Sequence, residues 1–413
     1  MRVLLREAAG GLPRSFWHLW TGTLVNRIGS FVLLFLTIFL VRERGLTDVQ
    51  AGLIIGLWGA GGAVGAMMGG ILADRWGRRP TLLVSQLCSA LLIIALGLSR
   101  GFWLTCACAL ALGLFAEAAR PAFSAMMIEV VPEKDRVRAF SLNFWAHNLG
   151  FACSAVLAGL AAEADYLLLF LVDAATTAAT ALFIFVKVRE PRAPEAGIDR
   201  AAGPRLGIGS LLRDRVFLGL VLANLLIEIV FLQHKSMLPI AMSDKGLSAS
   251  TFGWVISLNG FLIVLGQLFV SSLIKTYDNS RVLALAAAVI GGGFALTAFA
   301  DSAWLYAMTV LIWTVGEMLD SPSTAALVAG LSPRTMRGRY QGMFSLASSI
   351  AAFAAPVLGG LVRERFGDTI LWIGTGAVAF AAAAVHLSSR DARIRRVSAL
   401  NSQAEQHPSR QTG

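Results

Sequence analysis

The chain has 413 residues, 56% of them hydrophobic and 15% charged, with a mean hydropathy of +0.69. Length alone would suggest two or three soluble domains, but this composition excludes them and describes an integral membrane protein. The net charge of +10 comes from Lys and Arg sitting in the loops where a membrane protein needs them, so no nucleic-acid partner is expected.

Apolar stretches long enough to cross a bilayer as helices run over roughly 16–41, 48–73, 81–99, 103–128, 139–162, 166–187, 216–241, 250–274, 282–300, 303–329, 340–362 and 369–388. They predict an all-α membrane protein of about twelve transmembrane helices, with both termini on one side. Ahead of the first stretch, Glu7 and Gly10-Gly11 do not form a cleavable signal pattern, so the first helix is expected to act as its own insertion signal. The small residues Gly59-Ala60-Gly61-Gly62 and Gly65 to Gly69 have no preceding strand and no phosphate-loop Lys; they suit close helix packing. Cys88, Cys106, Cys108 and Cys153 all lie inside apolar stretches, as small packing residues rather than disulfide or metal ligands. No cofactor or metal is expected.

Between the second and third stretches lies Gly69-Gly70-Ile71-Leu72-Ala73-Asp74-Arg75-Trp76-Gly77-Arg78-Arg79-Pro80, a short basic turn that must sit in water. Most Lys and Arg fall on its side of the membrane. The opposite loops carry only Arg42, Arg44, Arg100, Lys245, Arg363 and Arg365. The positive-inside rule therefore makes both termini cytoplasmic, in a cell (plasma or inner) membrane.

The chain aligns with itself at an offset of 201 residues: Gly45-Leu46 on Gly246-Leu247, Gly52 on Gly253, Gly59 on Gly260, Pro121 on Pro322, Arg138 on Arg339 and Gly159 on Gly360. One offset serving early and late stretches indicates a duplicated six-helix unit. The expected division is a bundle at 1–187, a cytoplasmic linker at 188–215, a second bundle at 216–389 and a disordered tail at 390–413. At this offset Asp74 meets Lys275, and the second loop has lost most of the first loop's residues.

Charged groups in hydrocarbon face a cavity or a partner, so each is a functional candidate. They are Arg27, Glu117, Arg120, Glu129, Asp173, Glu228, Lys235, Glu317 and Asp320; Asn143, His147 and Asn148 add a polar face on the fifth stretch. Glu117 and Arg120 are spaced to neutralise one another. Asn224, Glu228 and Lys235 share one helix face, as do Glu317, Asp320 and Thr324. Two carboxyls as close as Glu317 and Asp320 resist simultaneous ionisation, which makes either the expected proton carrier. Arg27 and Glu228 are equivalent under the repeat, which leaves two readings: an ion pair between the halves that lines the cavity, or each pairing within its own half. Trp145 and Trp313 lie deep, suited to stacking on a ligand or to packing.

The turn Gly69 to Pro80 resembles the loop between helices 2 and 3 of major facilitator superfamily transporters. That resemblance implies two pseudo-symmetric six-helix bundles around a midplane site, and a cytoplasmic gate at Gly70, Asp74, Arg75, Gly77, Arg78, Arg79 and Glu129. The stretches Ala125 to Glu129, Phe144 to Leu149 and Gly316 to Ser323 resemble the lactococcal-type proton-coupled multidrug antiporters of the twelve-helix drug branch. By position, Glu317 matches that family's cavity glutamate for cationic drugs and Glu129 its carboxylate at the inner end of helix 4. Asn143 stands where a proton-coupling Asp is expected, and Lys235 where an acidic drug-binding group would sit, which favours neutral or anionic substrates.

The reading is a secondary active transporter, proton-coupled and exporting hydrophobic small molecules by alternating access, with substrate, protons and lipid as partners and a monomer as the unit. The alternatives are a proton-coupled transporter of one metabolite, or a non-transporting membrane sensor. No catalytic motif is present, so no enzyme activity is expected.

Overall fold

The computed structural model describes residues 11–188, 213–333 and 336–406, with only the backbone of Val137, Arg337 and 401–406. Among the described residues every regular element is helical. Eleven helices are long and apolar enough to span a membrane. They are α1 (Arg14–Glu43), α2 (Asp48–Trp76), α3 (Arg78–Leu98), α4 (Phe102–Val130), α5 (Arg136–Ala164), α6 (Tyr166–Lys187), α7 (Arg215–Ser236), α8 (Ala249–Ile274), α9 (Asn279–Leu296), α11 (Arg337–Phe366) and α12 (Asp368–Ser388). Between α9 and α11 lies α10 (Ala303–Leu331), 29 residues long but interrupted chemically by Glu317, Asp320 and Pro322. The expected count of twelve is reached only by counting α10 on its length.

One expectation changes over part of its range: from Arg390 to Gln406 the expected disordered tail is a helix, α13 (Arg390–Gln406), which packs against α10, α12 and α7. Its Arg393 is 1% exposed and donates Nη1 to His386 Nδ1 at 2.9 Å. Burial, partly offset by Asp278, lowers that guanidinium to about 10. The greater part of the expected linker lies outside the described residues, as do positions 1–10 and 407–413.

The helices that meet between the halves are broken where the sequence frees backbone groups. In α1 the helix stops at Gly29 and restarts at Val32, whose N–H donates to the buried Asp173 Oδ2 of α6 at 3.0 Å. Asp173 is thus a cap inside the membrane, satisfying a donor the break leaves open. In the seventh helix, Leu238–Asp244 continues the path of α7 beyond Met237, and Pro239 has no N–H for the carbonyl of Lys235. Thr37 Oγ1, fully buried on α1, donates to that carbonyl at 3.1 Å and so joins the two halves. The same logic recurs in α10, where Pro322 frees the Met318 carbonyl and Gln267 Nε2 of α8 occupies it at 3.2 Å.

The hydrophobic core shows how the halves sit. Away from the Gly77 loop a single buried cluster runs through both halves, from Phe35 and Ile54 to Phe252 and Ile256. Toward the Gly77 loop there are two separate clusters, one around Phe16, Leu82 and Met126, the other around Phe217, Leu283 and Leu327. The halves are therefore joined at the far face and parted at the loop face.

The far-face join repeats the 201-residue symmetry. A side chain at Gly52 would collide with the carbonyl of Pro356, and one at Gly253 with that of Ala155, its equivalent. Backbones touch there because neither glycine has a Cβ. Glu364 Oε2 accepts from the Val49 N–H at 3.2 Å at the start of α2, while Glu163 Oε1 accepts from its equivalent, Ser250 N–H, at 3.4 Å at the start of α8. Arg42 Nε donates to Ser243 Oγ at 2.9 Å, equivalent positions meeting across the repeat axis. Arg363 then gathers Asp48, Asp244 and Asp368, the last at 2.6 Å, and Arg42 also pairs with Asp244.

Candidate functional site

Below the joined face, α7, α10 and α11 enclose a cavity of about 790 Å³ that extends toward the loop face. Glu228 and Asn224 of α7 line it with Glu317, Asp320 and Thr324 of α10. Of the faces grouped by spacing, Asn224 and Glu228 on α7 and Glu317, Asp320 and Thr324 on α10 line the cavity, while Lys235 does not. Apolar walls come from Ile227, Phe231, Ile290 and Phe344.

Each carboxyl is held differently. Glu317 Oε2 accepts from Asn259 Nδ2 of α8 at 2.6 Å, and the same amide donates to Thr314 Oγ1 at 3.1 Å. Asp320 Oδ2 accepts from Thr324 at 3.4 Å, a weak bond. Glu228 has neither hydrogen bond nor ion pair among the described residues; Lys235 of its own helix and the carboxyls Asp320 and Glu317 are within electrostatic range of it. The repeat puts Ala116 and Ala119 at the positions of Glu317 and Asp320, so the carboxyl cluster belongs to the second half alone.

The ion pair between Arg27 and Glu228 across the halves is not formed. Arg27 sits in the last turn before the α1 break, against Gly150 of α5, within electrostatic range of Glu117, Arg120 and Asp173. It makes no ion pair among the described residues. Lys235 is within electrostatic range of Arg27, Glu228, Glu317 and Glu117, but the cavity lining reaches only Phe231 on its helix and includes none of Lys235, Arg27, Glu117 or His147. His147 joins the positive side, near Arg27 and Lys235. Glu117 is paired with Arg120 at 3.0 Å, as its spacing predicts. Asn143 is not brought to this cluster by any contact; its Oδ1 is buried without a hydrogen-bond partner.

Sequence reasoning missed Asn259, Gln267 and Thr37, single polar residues in apolar stretches. A proline four residues after a carbonyl was the available signal for Gln267 and Thr37. Trp313, 1% exposed, stacks on His234 and Phe294 with centroids 5.5 and 5.6 Å away, and is core rather than a ligand platform. Trp145 lies parallel to Trp20 at 6.5 Å.

In the Gly77 loop, Gly77 has φ of +99°, the turn that only glycine makes without strain between α2 and α3. Arg78 pairs with Glu129 of α4 at 2.5 Å, within the first half. Arg79 instead grips the end of α6: Nε donates to the Phe185 carbonyl at 2.6 Å, and the guanidinium lies 4.0 Å from that residue's ring centroid. Gly70, Asp74 and Arg75 lie on the last turns of α2, with Asp74 and Arg75 exposed and open space beside Gly70.

Two six-helix repeats, joined at one face where the broken helices α1 and α7 touch and parted at the other, are the architecture of this chain. The chain belongs to the Major Facilitator Superfamily, whose family model matches residues 19–319 and 234–409. Among its relatives, a Na(+), Li(+), K(+)/H(+) antiporter of Planococcus maritimus is 22% identical over 87% of this chain and 94% of its own. Multidrug resistance protein MdtH of Enterobacter sp. (strain 638) is 23% identical over 86% and 88%. The solved structure of nucleoside transporter NupG superposes with a TM-score of 0.79 at 14% identity, over 91% of this chain and 99% of that one, and shares the fold.

Proposed function

We propose that this transporter exports hydrophobic small molecules in exchange for protons, working by alternating access around the groove. The observation that carries the reading is the carboxyl cluster of Glu228, Glu317 and Asp320 on the wall of a cavity whose other surfaces are largely apolar. Carboxyls there bind a proton or a substrate but hold their charge poorly when both are absent. The names of two relatives, a multidrug resistance protein and a proton antiporter, support the same reading.

With the positive-inside orientation, the parted face is cytoplasmic and this state is inward-facing, in the plasma membrane with both termini inside. The Arg78–Glu129 pair then serves as a cytoplasmic latch within the first half. A monomer suffices, because the groove is complete within one chain.

Dye-efflux and drug-susceptibility assays of Glu317→Gln and Asp320→Asn, with and without a protonophore, test this. Wild-type efflux should collapse with the protonophore, and at least one variant should lose about tenfold or more of the proton-driven rate. Efflux indifferent to the protonophore would remove proton coupling. The second reading, transport of one specific metabolite, is favoured by Lys235, a cation that a carrier of greasy cations would not keep within electrostatic range of Glu228 and Glu317. Proton-dependent accumulation of a single compound without dye efflux would select it.

A further inference from the structure

Among the described residues, Glu317 is the carboxyl of the cavity wall that is held from another helix; Asp320 bonds Thr324 of its own helix and Glu228 bonds nothing. Its holder, Asn259 of α8, belongs to a chain of three hydrogen bonds. Thr314 Oγ1 gives its hydrogen to the Val310 carbonyl at 2.6 Å, so only its lone pairs face Asn259. Asn259 Nδ2 therefore donates both of its hydrogens, one to Thr314 at 3.1 Å and one to Glu317 Oε2 at 2.6 Å. Asn259 is 6% exposed and Thr314 fully buried, while Glu317 reaches the cavity.

Under the repeat, Asn259, Thr314 and Glu317 stand where the first half has Trp58, Gly113 and Ala116. There α2 and α4 touch backbone to backbone: a Cβ on Gly113 would strike the Trp58 carbonyl, and one on Gly61, Gly65 or Gly69 the carbonyl of Leu110, Leu114 or Ala118. At three of those four glycine positions the second half has Leu262, Val270 and Thr314. Side chains join α8 to α10 instead, the Asn259 amide on Glu317 and Gln267 on the Met318 carbonyl. A shift of about 1–2 Å between packed helices breaks a side-chain hydrogen bond and lets it re-form, whereas helices in backbone contact move as one.

α8 is also the second half's side of the far-face seam. The residue after Asn259 is Gly260, where a Cβ would lie 2.7 Å from the Asn148 carbonyl of α5, and Gly253 meets the Ala155 carbonyl of the same helix. Asn259 thus stands between a contact that must part when the far face opens and a carboxyl on the cavity wall.

We infer that Asn259 is the positioning residue that couples Glu317 to the seam. While α8 is seated on α5, its amide holds the carboxylate. When the far face opens and α8 shifts on α10, Glu317 loses that donor and takes a proton from the far-side water. Reseating α8 returns the amide to the carboxylate, and the proton leaves through the open cavity. This deepens the proton-exchange reading and rests on it.

The test reconstitutes the full-length transporter in liposomes and follows ethidium in two modes. One is efflux driven by a proton gradient; the other is exchange of labelled for unlabelled ethidium without a gradient, in which Glu317 need not change its proton. Asn259→Leu keeps the side chain's size and removes the donor, and should cut driven efflux about tenfold relative to exchange. Asn259→Ala, which cannot overfill the site, carries the same expectation, and Asn259→Gln, which keeps an amide, should restore part of the ratio. Gln267→Leu breaks the other link between α8 and α10 without touching Glu317 and should leave the ratio near wild type. Gly260→Ala presses α8 away from α5, so it should lower the ratio in the wild-type chain but not further in Asn259→Leu. A wild-type ratio in Asn259→Leu or Asn259→Ala, an equal loss in Gln267→Leu, or additive losses with Gly260→Ala overturns the inference alone. Wild-type transport indifferent to the gradient overturns the proton-exchange reading, and this inference with it.

Discussion

The two faces of the protein have treated the same duplication differently. At the far face the repeat survives as contacts: Gly52 on Pro356 matches Gly253 on Ala155, and Glu364 at Val49 matches Glu163 at Ser250. At the loop face it is lost. The first half ties α3 to α4 through Arg78 and Glu129, but the equivalent positions are Asn279 and Gly330. There α13 fills the place: Val397 packs at Gly330, Arg390 pairs with Asp278 at 3.1 Å, and Arg396 meets Asp214 at 2.8 Å beside Tyr340. A seam made by both halves on each other must match on both sides, whereas a latch inside one half is free to diverge.

The largest effect expected at the far face comes from an unsymmetrical feature, Arg363. Arg363 is 9% exposed at its side chain and holds three aspartates drawn from both halves. Arg363→Ala leaves them facing one another, and removing one partner of a buried pair costs about 3–5 kcal/mol. Cysteines placed near Asp48 and Asp244 should become markedly more accessible to a membrane-impermeant maleimide. Unchanged labelling would mean that the glycine seam alone keeps this face shut.

The seam comes next in size. Gly52→Val and Gly253→Val each push a side chain into a facing carbonyl, and overpacking of this kind costs about 1–3 kcal/mol. Both should slow transport and favour far-face labelling to a similar degree. A variant at one site alone behaving like wild type would show that the matched contacts are not matched in strength.

How much of this was legible follows from what a sequence exposes. The carboxyls of α10 stood out because hydrocarbon tolerates so few charges, and the repeat stood out because glycines that let backbones touch are hard to replace. Contacts across the seam did not, since self-alignment pairs equivalent positions without saying which of them touch. Arg27 and Glu228 are equivalent yet do not pair, because equivalence under the repeat fixes no distance between two side chains. The tail misled for another reason: Arg390, Arg393 and Arg396 find their partners at Asp278, His386 and Asp214, some far away in sequence, so composition alone read them as solvated.

The smallest effect is the sharpest test of the comparison. Glu163 and Glu364 each accept a backbone N–H at a helix start in the opposite half, where a negative charge gains from the unsatisfied donors and the helix dipole, and Glu163 also accepts the Ser250 hydroxyl. Glu163→Gln and Glu364→Gln keep the acceptor oxygen and remove the charge, so each should raise far-face labelling slightly and by the same factor, at most about fivefold. Because the two contacts lie on different seams and share no partner, the double variant should show the product of the single factors. A clear inequality between the singles would mean that the closed face opens by one seam first, with the duplicated contacts preserved in geometry but no longer in energy.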